Sequence, residues 1–314
     1  MTGATEPTAV FAAQRPRLFG LAYRMLGSAH DADDVLQDAW LRWSGADTAT
    51  VTNPAAWLTT TVTRLCLNRL TSAAARHETY PGPWLPEPVL TADRALSPDD
   101  TAAQRDSVSL ALLLTLERLT PAERAVYVLR EAFAYPHREI AQIVGVSEAN
   151  ARRLHTRARK RLAEGGDPAP AGLVGAGRAG WLRLVESFLA AARHGDLPAL
   201  EALLAADVVA WADGGGRVTA ARLPVRGRGR VATYLARTLG GARRVGQAVI
   251  AEVNGAPAVL GFAGDTLVGV LEVEVDGGVV SGLRLHVNPD KLAHLAHQLS
   301  QRAGLRGRLC DGSA

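Results

Sequence analysis

The sequence predicts a multidomain chain: two all-α domains, the second a helix-turn-helix, then an α+β domain shaped as a cone. Three observations predict it. Pro136–Leu162, PHREIAQIVGVSEANARRLHTRARKRL, reads as two short helices joined at Gly145. Apolar residues recur at helical spacing on both sides of a proline-rich stretch around residues 77–101. After residue 180 the pattern changes to short strands punctuated by Asn254-Gly255, Gly264-Asp265 and Asp276-Gly277-Gly278. A chain of 314 residues is also too long for one ordinary domain.

The expected divisions are a helical domain at 9–76, a Pro-rich linker at 77–101 and a helix-turn-helix domain at 102–163. A Gly, Ala and Pro-rich flexible linker follows at 164–180, then an α+β domain at 181–290 and a C-terminal tail at 291–314.

Composition narrows the class. Hydrophobic residues make up 47%, enough for real cores, and the formal net charge is only +4. Positive charge therefore has to be read locally. No signal-peptide pattern is present, and the longest apolar run, Val108–Leu116, is too short to span a bilayer. Cys66 and Cys310 are far apart in the chain, which fits a reducing cytoplasm and no zinc or other cofactor.

Within 9–76, Phe11, Leu18, Leu21, Ala22, Met25 and Leu26 give the first helix its apolar face, and Gly27-Ser28 ends it. The second helix carries Asp31, Asp33 and Asp34 where a helix dipole favours anions. Asn53-Pro54 signals the start of the third, whose Leu58, Val62, Leu65 and Leu70 are expected inside and Arg64, Asn68, Arg69 and Arg76 outside. Further along, Thr120-Pro121-Ala122-Glu123 has the form of a capping box.

In the helix-turn-helix, Ser147 is expected to cap the second helix, and Ala151, Leu154, Ala158 and Leu162 to face inward. Arg152, Arg153, Arg157, Arg159, Lys160 and Arg161 stand against Glu148, a local net charge of +5 that suits a major groove. The expected contacts to the DNA come from Ser147, Glu148, Asn150, Arg152, Arg153, Arg157, Arg159 and Lys160, with Arg152 and Arg153 nearest the base edges. In the linker, Trp84-Leu85-Pro86-Glu87-Pro88 holds a tryptophan too apolar to leave in water, so it is expected to dock.

Asp31–Trp40, then Pro54-Ala-Ala-Trp-Leu and Asn68-Arg69, resemble the second conserved region of alternative sigma factors, and Thr120–Leu162 resembles their fourth. The short two-domain form is similar to the extracytoplasmic-function group. This resemblance implies that Asp34, Gln37 and Asp38 dock on core RNA polymerase. It also implies that Asn53, Arg64, Asn68 and Arg69 lie near the melted −10 element and that the helix-turn-helix reads the −35 element. The C-terminal portion, with two or three helices against a curved antiparallel sheet, resembles the SnoaL-like cyclase and isomerase fold. WLPEP, Asp213-Gly-Gly-Gly-Arg217 and Asn288-Pro289-Asp290-Lys291-Leu292 together resemble the J-type sigma factors. That resemblance implies regulation in cis through Trp84–Pro88, Asp213–Arg217 and Asn288–Leu292, the fused cone doing the work usually done by a separate anti-sigma protein.

Two rival readings remain open at this stage. A cone fold can enclose a pocket, and Asp213, Asp265 and His286 are its candidates for acid–base work. Asp213 and Asp265 also sit in turn sequences, where Asp serves the backbone. A helix-turn-helix repressor with a ligand-sensing cone is the other rival, but it leaves Asp31–Trp40 unexplained. The expected partners are core RNA polymerase and promoter DNA, with no membrane; a small ligand of the cone is left open.

Overall fold

A computed structural model of the chain describes residues 7–78, 80–91, 109–164, 177–239 and 246–301. It divides into two compact units, Met1–Thr79 with Asp93–Asp167 and Tyr80–Ala92 with Pro168–Ala314. Linker positions 92–108 and 165–176, the Arg76 side chain and Cys310 lie outside the described residues.

The first unit is helical: α1 (Pro7–Leu26), α2 (Ala29–Ser44), α3 (Pro54–Glu78), α4 (Leu110–Leu116), α5 (Pro121–Glu131), α6 (His137–Val144) and α7 (Glu148–Glu164). Ser28 Oγ accepts from the Asp31 N–H and caps α2, and Asn53 Oδ1 accepts from the Ala56 N–H at the start of α3. Leu18, Leu21, Met25, Val35, Leu36, Trp43, Leu58 and Val62 are buried where α1, α2 and α3 meet. The expected capping box forms at α5: Thr120 Oγ1 accepts from the Glu123 N–H while the Glu123 carboxylate accepts from the Thr120 N–H.

The two helical stretches pack on each other. Arg124, 4% exposed, donates to the Met25 carbonyl and to Glu117, each at 2.9 Å. Arg17 Nη2 donates to Tyr135 Oη at 3.0 Å, and its guanidinium lies 5.4 Å from the ring centroids of Phe133 and Tyr135.

The second unit holds α8 (Gly177–His194), α9 (Leu197–Leu203), β1 (Leu204–Asp213), β2 (Val225–Arg226), α10 (Arg228–Leu239), β3 (Gln247–Val253), β4 (Ala256–Ala263), β5 (Thr266–Asp276), β6 (Val279–His286) and α11 (Pro289–Gln301). The strand order is β2-β1-β6-β5-β4-β3. The sheet is mixed rather than purely antiparallel, because β1 and β6 run parallel. Sequence pattern finds strands but not which distant strands pair, and β2, two residues long, leaves no periodic trace. The β3–β4 hairpin turns at Asn254-Gly255 with both residues at positive φ, as that dipeptide signals.

Register fixes two faces. Ala210↔Leu283 and Leu271↔Leu285 pack with Trp181, Val185 and Phe188 of α8 and Val231 and Leu235 of α10. The opposite face carries Trp211↔Arg284, Asp213↔His286, Glu272↔Arg284 and Val270↔His286.

Two sequence expectations change here. Residues 291–301 are not a tail, since Leu292, Leu295 and Leu299 of α11 are buried against Val253, Ala258, Leu260 and Val270. Nor is 77–101 simply a linker, for α3 runs to Glu78 and Tyr80–Thr91 belongs to the second unit. Among the described residues no helix is long and apolar enough to cross a membrane.

Candidate functional site

The helix-turn-helix forms as the residues dictate. Ile140, Ala141 and Ile143 of α6 and Ala151, Leu154 and Ala158 of α7 are buried. Gly145 turns the chain at φ +79°, a left-handed conformation that a Cβ makes costly. Ser147 Oγ accepts from the Asn150 N–H at 3.2 Å.

The charge of α7 is less free than its sequence implied. Glu123, 1% exposed, accepts from Arg161 at 2.6 Å and pairs with Arg157 at 3.2 Å. These cations tie α7 to α5, and Arg157, expected on the DNA face, stays 60% exposed while it pairs with the buried Glu123 carboxylate. Arg152 pairs with Glu148 at 2.6 Å in the open, and His155 Nε2 lies 2.7 Å from Glu131. Lys160 reaches Glu164 at 3.7 Å. Ser147, Asn150, Arg153 and Arg159 are exposed. Among the described residues, Arg153 and Arg159 make no ion pair.

Asp34, Gln37 and Asp38 lie on α2, with Gln37 and Asp38 exposed and Asp34 half-buried. Arg69 bonds Asp31 at 2.6 Å and Asp34 at 3.2 Å, with Asp38 4.0 Å away. Arg69 therefore props up the acidic helix instead of pointing freely outward, because three carboxylates converge on it. Asn68 and Arg64 are exposed on α3, and Arg64 Nε donates to the Ile143 carbonyl at 3.4 Å. Asn53 is exposed, with its carbonyl oxygen already used in the α3 cap.

The third group of residues is assembled most tightly. Asp213 ends β1 at 0% exposure, and its Oδ2 accepts from the Leu85 N–H at 2.8 Å and from Lys291 Nζ at 2.7 Å. Tyr80 donates to Asp213 Oδ1 at 2.5 Å, and Asn288 Nδ2 donates to Tyr80 Oη at 3.0 Å. Burial, then the Asp213 carboxylate, pushes the Tyr80 phenol well above its usual range and keeps it protonated. Lys291 Nζ also donates to the Leu85 carbonyl and stands 4.2 Å from the Trp84 ring centroid and 4.7 Å from that of Tyr80. Arg217 and Asp290 pair at 2.9 Å, both exposed. A Cβ on Gly215 would overlap the Asn288 carboxamide, so that glycine of the DGGGR turn is needed for close approach.

Downstream of Trp84 the segment docks as an added edge. Leu85, Pro86, Glu87, Pro88, Val89, Leu90 and Thr91 are all buried. Val89 exchanges hydrogen bonds with Asn254, the Leu90 N–H donates to Gln298, and Thr91 donates to Glu252 from both its N–H and its hydroxyl. Pro86 and Pro88 have no N–H to satisfy, which suits burial at an irregular edge.

The three acid–base candidates do not meet at one point: Asp213 and His286 are register partners across β1 and β6, whereas Asp265 lies in the β4–β5 turn. Asp213 is fully engaged, His286 Nε2 lies 3.2 Å from Glu272 on the neighbouring strand, and Asp265 is exposed. The turn-former reading fails for Asp213, which is buried inside the sheet's end. Sequence reasoning missed Tyr80, Asn254, Gln298 and the anchoring role of Glu123. One usable signal was the scarcity of lysine: only Lys160 and Lys291 occur in the whole chain.

Residues 10–76 match the family model for sigma-70 region 2, and residues 109–162 the model for sigma-70 region 4. The chain is 38% identical to the ECF RNA polymerase sigma factor SigJ of Mycobacterium tuberculosis (strain ATCC 25618 / H37Rv), over 95% of this chain and 97% of that protein. It is 32% identical to the probable ECF RNA polymerase sigma factor SigI of M. tuberculosis (strain CDC 1551 / Oshkosh), over 93% and 97%. The crystal structure of M. tuberculosis SigJ matches with a TM-score of 0.66 at 34% identity, covering 91% of this chain and 98% of that one. The region 2 match accounts for the acidic Asp31–Trp40 helix that a repressor would leave unexplained. The chain belongs to the extracytoplasmic-function sigma factors of RNA polymerase, of the J type with a SnoaL-like C-terminal domain.

Proposed function

We propose that this sigma factor is set in cis by its C-terminal unit, acting through the chain that joins its two sigma regions. As a sigma factor it directs core RNA polymerase to promoters. The observation that carries the proposal is the bonding of Leu85 to Asp213 and Lys291, both contributed by the C-terminal unit. Docked, Tyr80–Thr91 has a fixed path; released, the same residues lengthen the tether between region 2 and region 4. A covalently attached regulator needs only weak contacts, because its effective concentration is roughly millimolar.

In this reading, Ser147, Asn150, Arg153 and Arg159 of α7 meet the −35 element. Asn53, Arg64 and Asn68 lie near the −10 element, while Asp34, Gln37 and Asp38 face polymerase in the cytoplasm. The C-terminal unit is read as a regulator, because Asp213 is taken up by Leu85, Tyr80 and Lys291, the contacts that dock the segment between the sigma regions.

Transcription with core polymerase on a library of random promoters tests the activity and reveals the sequence read. The regulatory arm compares the full chain, Trp84→Ala and a chain ending before Trp181. Output should rise when only the docked segment is loosened and fall when the whole unit is removed. Indistinguishable output from all three would make the C-terminal unit a passenger.

A further inference from the structure

From Gly214 to Ala251 the chain has eight arginines and no Asp, Glu or Lys. Four of them, Arg226, Arg228, Arg230 and Arg237, line one surface cavity of about 700 Å³ together with Thr233 and Tyr234. All four are exposed, and among the described residues none pairs with a carboxylate within 4 Å. Glu201 is the carboxylate that approaches the rim, near the Gly229 backbone, and it leaves the four guanidiniums a clear positive excess.

This placement is costly. Arg228 and Arg230 occupy the first turn of α10, where the helix dipole disfavours cations; that turn has no acidic residue of its own, and Glu201 beside Gly229 offsets the two only in part. Four guanidiniums around one concavity also repel each other. Neither cost is relieved by a structural contact of the kind that Glu123 provides for Arg157 and Arg161. Arg217, from the same acid-free stretch, shows the contrast, since it has Asp290.

We propose that this cavity binds a polyphosphate anion of nucleotide size. Guanidinium forks match phosphate oxygens two at a time, and several adjacent forks favour several adjacent phosphates. The volume falls in the range of small-ligand sites. Half-buried Tyr234 supplies an aromatic wall, its phenol kept protonated chiefly by burial. The site lies outside the Trp84–Asp213–Lys291 cluster and does not depend on the regulatory reading above.

The test is calorimetric titration of the full chain with inorganic tripolyphosphate at low salt. Saturable one-to-one binding is expected, weakened about tenfold or more by Arg228→Ala/Arg230→Ala and unchanged by Arg153→Ala/Arg159→Ala on the recognition helix. Should the α10 pair melt early, Arg237→Gln serves in its place. No saturable binding, equal affinity in the α10 variant, or loss in the α7 variant overturns the proposal. A second arm uses duplex DNA without a promoter. If the α10 variant loses affinity for that DNA while tripolyphosphate binding is intact, the arginines contact nucleic-acid backbone and the proposal also fails.

Discussion

Lys291 Nζ stands 2.7 Å from Asp213 Oδ2, with the carboxylate fully buried and the ammonium roofed by the rings of Trp84 and Tyr80. The pair joins the end of β1 to the start of α11 and holds the Leu85 backbone from both sides. Removing one member leaves the other's charge buried and alone, whereas removing both does not.

Lys291→Met should therefore destabilise the C-terminal unit by about 3–5 kcal/mol. Asp213→Leu/Lys291→Met should recover most of that stability while leaving Leu85 without its anchors. Denaturant unfolding reads the first effect, and hydrogen exchange at the Leu85 amide reads the second. Lys291→Arg should not substitute well, because a planar fork cannot sit between two ring faces as a compact ammonium does.

On α7 the arginines should separate into two classes. Arg153→Ala should cost about 1–3 kcal/mol of discrimination at the −35 element. Arg159→Ala should lower the salt slope of binding by about one unit and spare sequence preference. Arg157→Ala and Arg161→Ala should instead lower the melting temperature of the helical unit, since Glu123 is then left buried with one cation. Promoter binding at several salt concentrations, beside thermal melts, separates the classes; equal effects from all four substitutions would dissolve the distinction.

Asp38→Lys should weaken binding to core polymerase while helical content stays intact. Asp34→Lys should do the same and also loosen α2 from α3, because Asp34 bonds Arg69 at 3.2 Å and Asp38 only approaches it. Affinity for core polymerase and melting of the free protein measure the two effects together. An Asp38→Lys chain that binds core polymerase as tightly as the parent would remove α2 from that interface.

The helix-turn-helix should weaken in mild acid. Burial, then His155, holds the His137 imidazole below its ordinary value of 6.5, with Arg130 and Arg152 adding to the effect and Glu148 opposing it. The folded state thus binds fewer protons there than the unfolded chain. The stability involved is complete above pH 6.5 and is lost as pH falls through the lower folded value. Thermal melts of the parent and of His137→Gln across pH 5–8 should show a fall on the acid side that is shallower in the variant.

Much of this was legible in the residues. Gly145, Asn254-Gly255 and the Thr120–Glu123 box announce themselves because their physics is local: a positive φ, a hairpin twist, a reciprocal cap. The docking of Trp84 was legible as a need, since an indole in a linker seeks cover, but its cover was not. Tyr80 meets Asp213 across 133 positions, and the β1–β6 pairing, Asp213↔His286 among its partners, also joins residues far apart in the chain. The pairing of Arg157 with Glu123 was illegible for the same reason. Counting charges on one helix does not reveal a carboxylate buried on another.

The path of the chain sets an order of events during synthesis. Tyr80–Thr91 leaves the ribosome early, yet the Leu90 amide bonds Gln298, made 208 positions later. At about 5–20 residues per second, roughly 10–40 seconds pass before that partner exists. Both sigma regions are made before Asp213, Asn254 and Gln298, the partners on which the stretch between them closes. A nascent copy that stops short of α11 is thus a different molecule from one that carries it, because Lys291 and Gln298, which hold Leu85 and Leu90, both come from that helix.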